Sequence, residues 1–127
     1  PPQFQHIAHQ ALEALGIASR LASKAGLPGS HPGYVTDLAR NWLDTRSAED
    51  LSAMTIYACG PAPMLRAVTE LAGSFNLPSQ LCVEEFMACA VGGCAGCVMP
   101  VMVDGQRQMK RVCVDGPVFD GAALYAK

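Results

Sequence analysis

The sequence predicts an α/β protein in which a partial parallel-sheet domain over residues 1–80 is followed by a small β-rich domain over residues 81–127. Two observations lead to this prediction. Segments with helical and strand character alternate through the first 80 or so residues, which is typical of a parallel sheet. Beyond Glu85 the helical periodicity disappears, and two extended runs surround the Asp104-Gly105 pair, a strong hairpin signal.

The first elements are two helices joined through a short strand and a loop. Apolar residues at helical spacing predict a helix from Gln5 to Leu15, which Gly16 ends. A short strand from Ile17 and the glycine- and proline-rich stretch "KAGLPGSHPG" precede a second helix, "YVTDLARNWLD". The polar segment "RSAEDLSA" is expected to be a connecting turn.

The clearest unit is a strand, a tight turn and a helix. "MTIYA" predicts a strand, "CGPAP" interrupts it, and helical periodicity runs from Met64 to Phe75. "LPSQLCVEE" then predicts a turn and another strand, which together give a parallel sheet. "CVMPVMVDGQRQMKRVCV" supplies the two extended runs, and "DGPVFDGAALYAK" is expected to close with a short helix.

Composition excludes several function classes. The chain has 127 residues, a formal net charge of −2 and 50% hydrophobic residues, as expected of a compact soluble protein. No apolar run reaches the roughly 18 residues of a membrane span, and "PPQFQHIAHQ" lacks the regions of a signal peptide, so we expect a cytoplasmic protein with no membrane partner. Nine scattered basic residues against eleven acidic ones argue against nucleic-acid binding.

Four of the six cysteines are spaced like the ligands of an iron–sulfur cluster. Cys89-x4-Cys94-x2-Cys97-x15-Cys113 is the order of plant-type [2Fe-2S] ligation and differs from the paired x2 spacing of structural zinc. Small residues fill the gaps, which suits a loop whose amides must surround bridging sulfides. Zinc or another metal, disulfides and free thiols remain alternatives.

Of the other two cysteines, one lies on a predicted strand and the other follows one. Cys82 is expected to be a small buried hydrophobic residue, turned to the side opposite Leu81. Cys59 follows a strand and precedes Gly60-Pro61 at a helix start, where α/β sheets bind ligands. A ligand-binding and a purely structural role stay open for Cys59.

Three motifs carry a resemblance to a known family. "YACGPAPML", "VEEFMACAVGGCAGC" and "VCVDGPVF", in this order, resemble the C-terminal half of the electron-transfer subunit of class B dihydroorotate dehydrogenase, an iron–sulfur flavoprotein of the ferredoxin–NADP reductase superfamily. "GSHPGYVTDL" is also similar to the segment that precedes them in this family. The resemblance implies a truncated, ferredoxin-reductase-like NAD(P)-binding domain over residues 1–80 and a [2Fe-2S]-binding domain over residues 81–127.

The resemblance also implies cofactors, partners and site residues. One [2Fe-2S] cluster would be held by Cys89, Cys94, Cys97 and Cys113. Residues near a bound NAD(P) would be Gly33, Thr36, Cys59, Gly60 and Pro61. Electrons would pass from a dihydroorotate-oxidising, FMN-containing catalytic subunit through the cluster to FAD and NAD+, in pyrimidine biosynthesis and within a heterotetramer. FAD and NAD(P) are expected in the full-length protein, so the chain alone is not expected to be catalytic, and no general acid or base is predicted.

Two features of the cluster loop qualify the resemblance. Relatives usually carry glycine after the first ligand, and Ala90 stands there, so we expect a negative φ at this position. Apolar residues near the loop form either a docking face for the catalytic subunit or the core of the small domain: Phe86, Met87, Val91, Met99 and Phe119. Glu84 and Met87 match positions beside the loop, where packing and tuning of the cluster are both open.

Rival interpretations remain at this point. Related electron-transfer subunits of ferredoxin:NADP oxidoreductases, sulfide dehydrogenases and hydrogenases share the motifs. A zinc-stabilised interaction module would use the four cysteines only to hold the hairpin. An oxygenase reductase with a fused ferredoxin is disfavoured, because its fourth cysteine usually lies further along than x15.

Overall fold

The computed structural model describes residues 10–125 and divides the chain into two compact units between Trp42 and Leu43. This division differs in place from the predicted domain boundary at residue 80. The assignment of an NAD(P)-binding and a cluster-binding domain stays a prediction. Among residues 10–125, no helix has the length and apolar character needed to cross a membrane.

The first unit contains a helical segment, α1, over residues 10–14, and two very short strands. β1 (Ala22–Ser23) pairs in parallel with β2 (His31–Pro32), and α2 (Val35–Leu43) follows. The predicted start of the first helix lies outside the described residues. The strand expected from Ile17 is reduced to two residues, because β2 offers only two residues to pair with.

The segment predicted as a polar turn is a helix, α3 (Ala48–Ser52). The side chain of Ser47 accepts a hydrogen bond from the Asp50 N–H, and the Asp50 carboxylate accepts one from the Ser47 N–H. This reciprocal capping box satisfies two amides that a helix start otherwise leaves unpaired. The turn prediction was therefore wrong, and the Ser-x-x-Asp pattern was the signal that it missed.

The second unit combines a mixed sheet with a hairpin. Its remaining elements are β3 (Ile56–Cys59), α4 (Ala62–Ser74), β4 (Ser79–Cys82), β5 (Val98–Val103), β6 (Gln106–Arg111), α5 (Val112–Asp115), β7 (Val118–Asp120) and α6 (Gly121–Leu124). β3 and β4 are parallel, as the sequence predicted. β7 adds an antiparallel edge to β4, with Phe119 opposite Leu81, so the C-terminal segment joins the same sheet.

The hairpin of β5 and β6 confirms the Asp-Gly signal. Val103 pairs with Gln106, and the two residues between them, Asp104 and Gly105, have φ of 51° and 75°. Positive φ at both positions is what a tight two-residue turn between twisted strands requires. The second extended run was predicted to continue to Val114 but ends three residues earlier, at Arg111, because residues 112–115 form the helical turn α5.

One apolar core holds α4, the sheet and the hairpin together. Leu65 of α4, Leu81 of β4 and Val112 at the start of α5 are almost fully buried. The other members of this cluster are Val68, Val83, Cys97, Met99, Val101 and Leu124. Because the core includes residues from both sides of position 80, the parallel strands and the hairpin belong to one unit, which places the cysteine-rich loop beside the sheet.

Candidate metal centre

The four cysteines lie where the loop after β4 meets the end of the hairpin. Cys97 directly precedes β5 and is 3% exposed, and Cys113 lies half-buried on α5. The Val112 N–H donates to the Cys97 carbonyl at 3.1 Å, which holds these two segments side by side. Cys89 is half-buried in the loop and Cys94 is exposed.

The structure brings the four thiols together as two pairs. The backbone N–H of Cys94 donates to the Cys89 Sγ at 3.4 Å. The backbone N–H of Cys113 donates to the Cys97 Sγ at 3.5 Å, and the thiols within each pair also interact. Cys89 acts electrostatically on Cys113, so the two pairs are neighbours. All four cysteines are free of disulfides.

Backbone amides control the protonation of these thiols. The pKa of Cys89 is lowered to about 6, first by the Val91 N–H and then by the Cys94 N–H. The pKa of Cys97 is also lowered, chiefly by the Cys113 N–H. The pKa of Cys113 is raised by the neighbouring Cys97 thiol and by burial. Metals bind the thiolate form, so Cys89 is ready for ligation at neutral pH.

The amides converge because the loop backbone turns repeatedly into the left-handed region. Ala90, Gly92 and Ala95 have φ of 56°, 81° and 54°. The expectation of a negative φ at Ala90 was wrong: this alanine accepts the conformation at a cost of about 1 kcal/mol. Turns of this kind direct successive N–H groups into one concavity, which is a common way to hold an anion.

This arrangement fits the group that the spacing predicted. The donors are thiols alone, and each iron of a [2Fe-2S] cluster takes two ligands, as two pairs can supply. Gly92 has no room for a side chain, since a Cβ there would lie 2.7 Å from the Val114 Cγ2. Within residues 10–125, no three side chains of metal-binding type surround a single point.

Arg111 contacts the cluster loop, and the sequence analysis did not predict this contact. Its Nη1 donates to the Gly92 carbonyl at 2.9 Å, and its backbone N–H donates to the Asp115 Oδ2 at 2.7 Å. It therefore ties the cluster loop to the end of β6. Only its position two residues before Cys113 hinted at this role, and that is a weak signal.

The apolar residues around the loop divide between surface and core. Phe86 is 95% exposed, Val91 is 80% exposed, and Met87 is also exposed. Met99 is buried, and Phe119 packs against the core. The first three are thus free for a partner, whereas the last two are structural. Glu84 is exposed beside them.

The predicted nucleotide residues are distributed over both units. Gly33 and Thr36 lie at the start of α2, with Gly33 at φ 129°. Cys59 is the last residue of β3, and Gly60 and Pro61 connect it to α4, where Pro61 is the N-cap. A Cβ at Gly60 would lie 2.5 Å from the Met64 Cε, so the Met64 side chain packs directly against this glycine. Their role in binding NAD(P) stays a prediction.

Cys82 is the register partner of Cys59 across the parallel strands. It is half-exposed, which corrects the expectation of a buried residue. Strand alternation explains this: Leu81 and Val83 face the core, and Cys82 points to the other side. The pKa of Cys59 is raised, first by its interaction with the Cys82 thiol.

Comparison with known proteins gives a family for the site. Residues 84–125, which include all four paired cysteines, match the family model of the iron–sulfur cluster binding domain of dihydroorotate dehydrogenase B. The resemblance that the sequence motifs carried is thereby confirmed.

Similar proteins extend the match beyond the cluster domain. Three relatives are each named dihydroorotate dehydrogenase B (NAD(+)), electron transfer subunit. The one from Caldanaerobacter subterraneus is 48% identical over 64 residues, or 50% of this chain. Those from Listeria welshimeri and Bacillus caldolyticus are 43% and 45% identical over 68% and 72% of it. The chain spans only 26–32% of the length of these relatives.

A solved structure shows the same fold over most of the chain. It is a chain from the structure of an NADH-dependent reduced ferredoxin-NADP oxidoreductase, with a TM-score of 0.69 and 27% sequence identity. The match covers 88% of this chain and 37% of that chain. A partial reductase-like α/β fold is thus confirmed.

Proposed function

We propose that this chain is the C-terminal part of the electron-transfer subunit of a class B dihydroorotate dehydrogenase. In this proposal Cys89, Cys94, Cys97 and Cys113 hold one [2Fe-2S] cluster. The subunit links a dihydroorotate-oxidising, FMN-containing partner with FAD and NAD+ in cytoplasmic pyrimidine biosynthesis. The partner and this subunit form a heterotetramer, and the longer protein carries FAD and NAD(P).

The observation that carries the proposal is the paired arrangement of thiols under converging amides. Two thiol pairs match two irons, and lowered pKa values at Cys89 and Cys97 favour the thiolates that iron requires. A cluster also brings negatively charged sulfides. The loop's N–H groups stabilise negative charge at this place, as they already do for the Cys89 thiolate.

A bound [2Fe-2S] cluster supplies one-electron transfer. The chain's own residues hold it and control its surroundings. Cys97 and Val112 belong to the apolar core, so they exclude water on one side. Cys94 lies on the exposed side, which leaves a short route for electrons to a docked partner. The hydrogen bonds and burial around the thiolates set the reduction potential.

The exposed apolar residues beside the loop form the proposed docking face for the FMN-containing subunit. Phe86, Met87 and Val91 all occur within six positions of one another and are exposed. Side chains of this kind, when covered by a partner, contribute strongly to stable association. A partner at this face would lie directly against the loop that carries Cys89 and Cys94.

The proposed NAD(P) contact lies at the other thiol site. Cys59 ends β3, and Gly60 and Pro61 lead into α4, a helix of 13 residues. Carboxyl ends of parallel strands beside helix starts are the usual nucleotide sites of such sheets. Gly33 and Thr36 are also proposed as NAD(P) residues, and the regions 1–80 and 81–127 would correspond to the nucleotide and cluster functions.

Metal and sulfide analysis of anaerobically purified protein tests the proposal. We expect two irons and two acid-labile sulfides per chain. One zinc per chain with no sulfide, persisting after attempted reconstitution with iron and sulfide, would overturn the proposal and leave a structural zinc module. A Cys113→Ser variant carried through the same purification serves as the control for adventitious iron.

A further inference from the structure

A single arginine links the cluster loop to the hairpin. The Arg111 Nη1 donates to the Gly92 carbonyl at 2.9 Å, across 19 positions of sequence. Asp115 orients Arg111 from the other side: its Oδ2 accepts the Arg111 backbone N–H at 2.7 Å and lies 4.0 Å from the Arg111 Nε. The Arg111 side chain therefore fixes the middle of the loop to the last residue of β6.

Gly92 is held by a hydrogen bond to its carbonyl and by close packing around its Cα. The carbonyl accepts the hydrogen bond from the Arg111 Nη1. A Cβ on Gly92 would lie 2.7 Å from the Val114 Cγ2 and 3.3 Å from the Arg111 Nη1. The loop therefore has little freedom to shift at this point, and the orientation of the Gly92 carbonyl depends on the bond to Arg111.

We propose that Arg111 is a positioning residue that fixes the cluster loop at Gly92 and, through this contact and its positive charge, raises the reduction potential of the cluster. This inference rests on the proposed function. Reduction adds negative charge to a cluster, so firmly positioned loop amides and a nearby guanidinium both favour the reduced form. Loss of Arg111 removes the guanidinium and releases the Gly92 carbonyl, so the loop is less firmly positioned.

The test compares two substitutions of Arg111 with matched substitutions of Arg107. Arg107 is an exposed residue of the same strand, where it pairs with Met102 near the far end of the hairpin. Arg111→Gln and Arg107→Gln make the same change in net charge. Arg111→Lys and Arg107→Lys keep the charge but replace the forked donor of arginine with a single ammonium. The midpoint potential is measured by redox titration followed by visible absorption and EPR.

For Arg111→Gln we expect the equilibrium constant for reduction of the cluster to fall at least tenfold, which is about 59 mV for a one-electron couple. In Arg111→Lys this constant should fall more than twofold but less than tenfold. In both Arg107 variants it should stay within twofold of the value for the protein without substitutions. Chelator-induced bleaching should also be at least threefold faster in Arg111→Gln than in Arg107→Gln, since the loop is less firmly held.

The inference is overturned if the Arg111 variants match the Arg107 variants in potential. If Arg111→Gln does not retain a cluster, the lysine pair decides in the same way: Arg111→Lys within twofold of Arg107→Lys contradicts the positioning role. If the protein without substitutions binds no iron and sulfide, the result contradicts the proposed function itself. This outcome is distinct from a failure of the role of Arg111.

Discussion

The second unit holds two groups of cysteines, and their surroundings differ in kind. In the loop, backbone amides lower the pKa of Cys89 and of Cys97. At the end of β3, the pKa of Cys59 is raised, chiefly by the thiol of Cys82. Backbone donors thus favour the thiolate at Cys89 and Cys97, whereas no backbone donor acts on the Cys59 thiol.

Removal of one thiol from each group should have the largest effect, because the two groups differ in whether they hold a cluster. Cys113→Ser should abolish the cluster, because a serine hydroxyl remains protonated where a thiolate ligand is needed. Cys82→Ser should leave iron and sulfide content unchanged. Iron analysis and visible absorption of both variants check this, and loss of the cluster in Cys82→Ser would contradict the separation of the two groups.

A second prediction concerns the loop backbone. Gly92→Ala introduces a Cβ at 2.7 Å from Val114 into a residue with φ of 81°, whereas Gly93 has open space and no positive φ. We expect Gly92→Ala to lower the free energy of unfolding by about 1–3 kcal/mol and to reduce cluster content several-fold. Gly93→Ala should be near neutral on both counts. Denaturant unfolding and iron content are the measurements, and equal behaviour of the two variants would count against the loop geometry.

The exposed apolar residues allow a comparison of two surfaces. Val91→Asp places a charge beside the cluster loop, while Tyr57→Asp does so on β3, where Tyr57 is 74% exposed. With the full-length subunit, Val91→Asp should weaken association with the FMN-containing partner about tenfold, as expected for a buried charge at an interface, with cluster content unchanged. Tyr57→Asp should bind as before. Titration by analytical ultracentrifugation or calorimetry measures both, and equal affinities would remove the proposed docking face.

The smallest expected effect is a difference in pH dependence between the two groups. Alkylation requires the thiolate, and a lowered pKa keeps the thiolate at lower pH. In cluster-free protein, iodoacetamide labelling of Cys89 should rise to a plateau with a midpoint near its pKa of about 6. Labelling of Cys59, whose pKa is raised from 9.0, should still be rising at pH 9. Mass spectrometry of the labelled peptides separates the two. A common midpoint would show that the loop amides do not act on Cys89.

The sequence was informative where local chemistry decides structure. The turn at Asp104-Gly105 depends on a few adjacent residues, and the hairpin confirms its prediction. The spacing of Cys89, Cys94 and Cys97 is equally local, and ligation of a cluster by these residues stays a prediction. The parallel pairing of β3 and β4 followed from the strand and helix alternation. A capping box was present in the segment of α3 but was not recognised.

The remaining features depend on contacts between distant parts of the chain. The antiparallel pairing of β7 with β4 carries the last residues back to the sheet, and no local pattern indicates it. The bond from Arg111 to Gly92 spans 19 positions. The left-handed backbone of Ala90 was expected to be avoided, because residue type alone disfavours it. The left-handed conformation of Ala90 costs about 1 kcal/mol. It occurs together with the converging hydrogen bonds of the loop.

The most direct test of the central claim is an EPR spectrum of the anaerobic protein before and after reduction with dithionite. If the two thiol pairs hold one [2Fe-2S] cluster, the oxidised protein is silent and the reduced protein gives a rhombic S = 1/2 signal that integrates to one spin per two irons. A protein that contains metal but gives no such signal on reduction would contradict the claim.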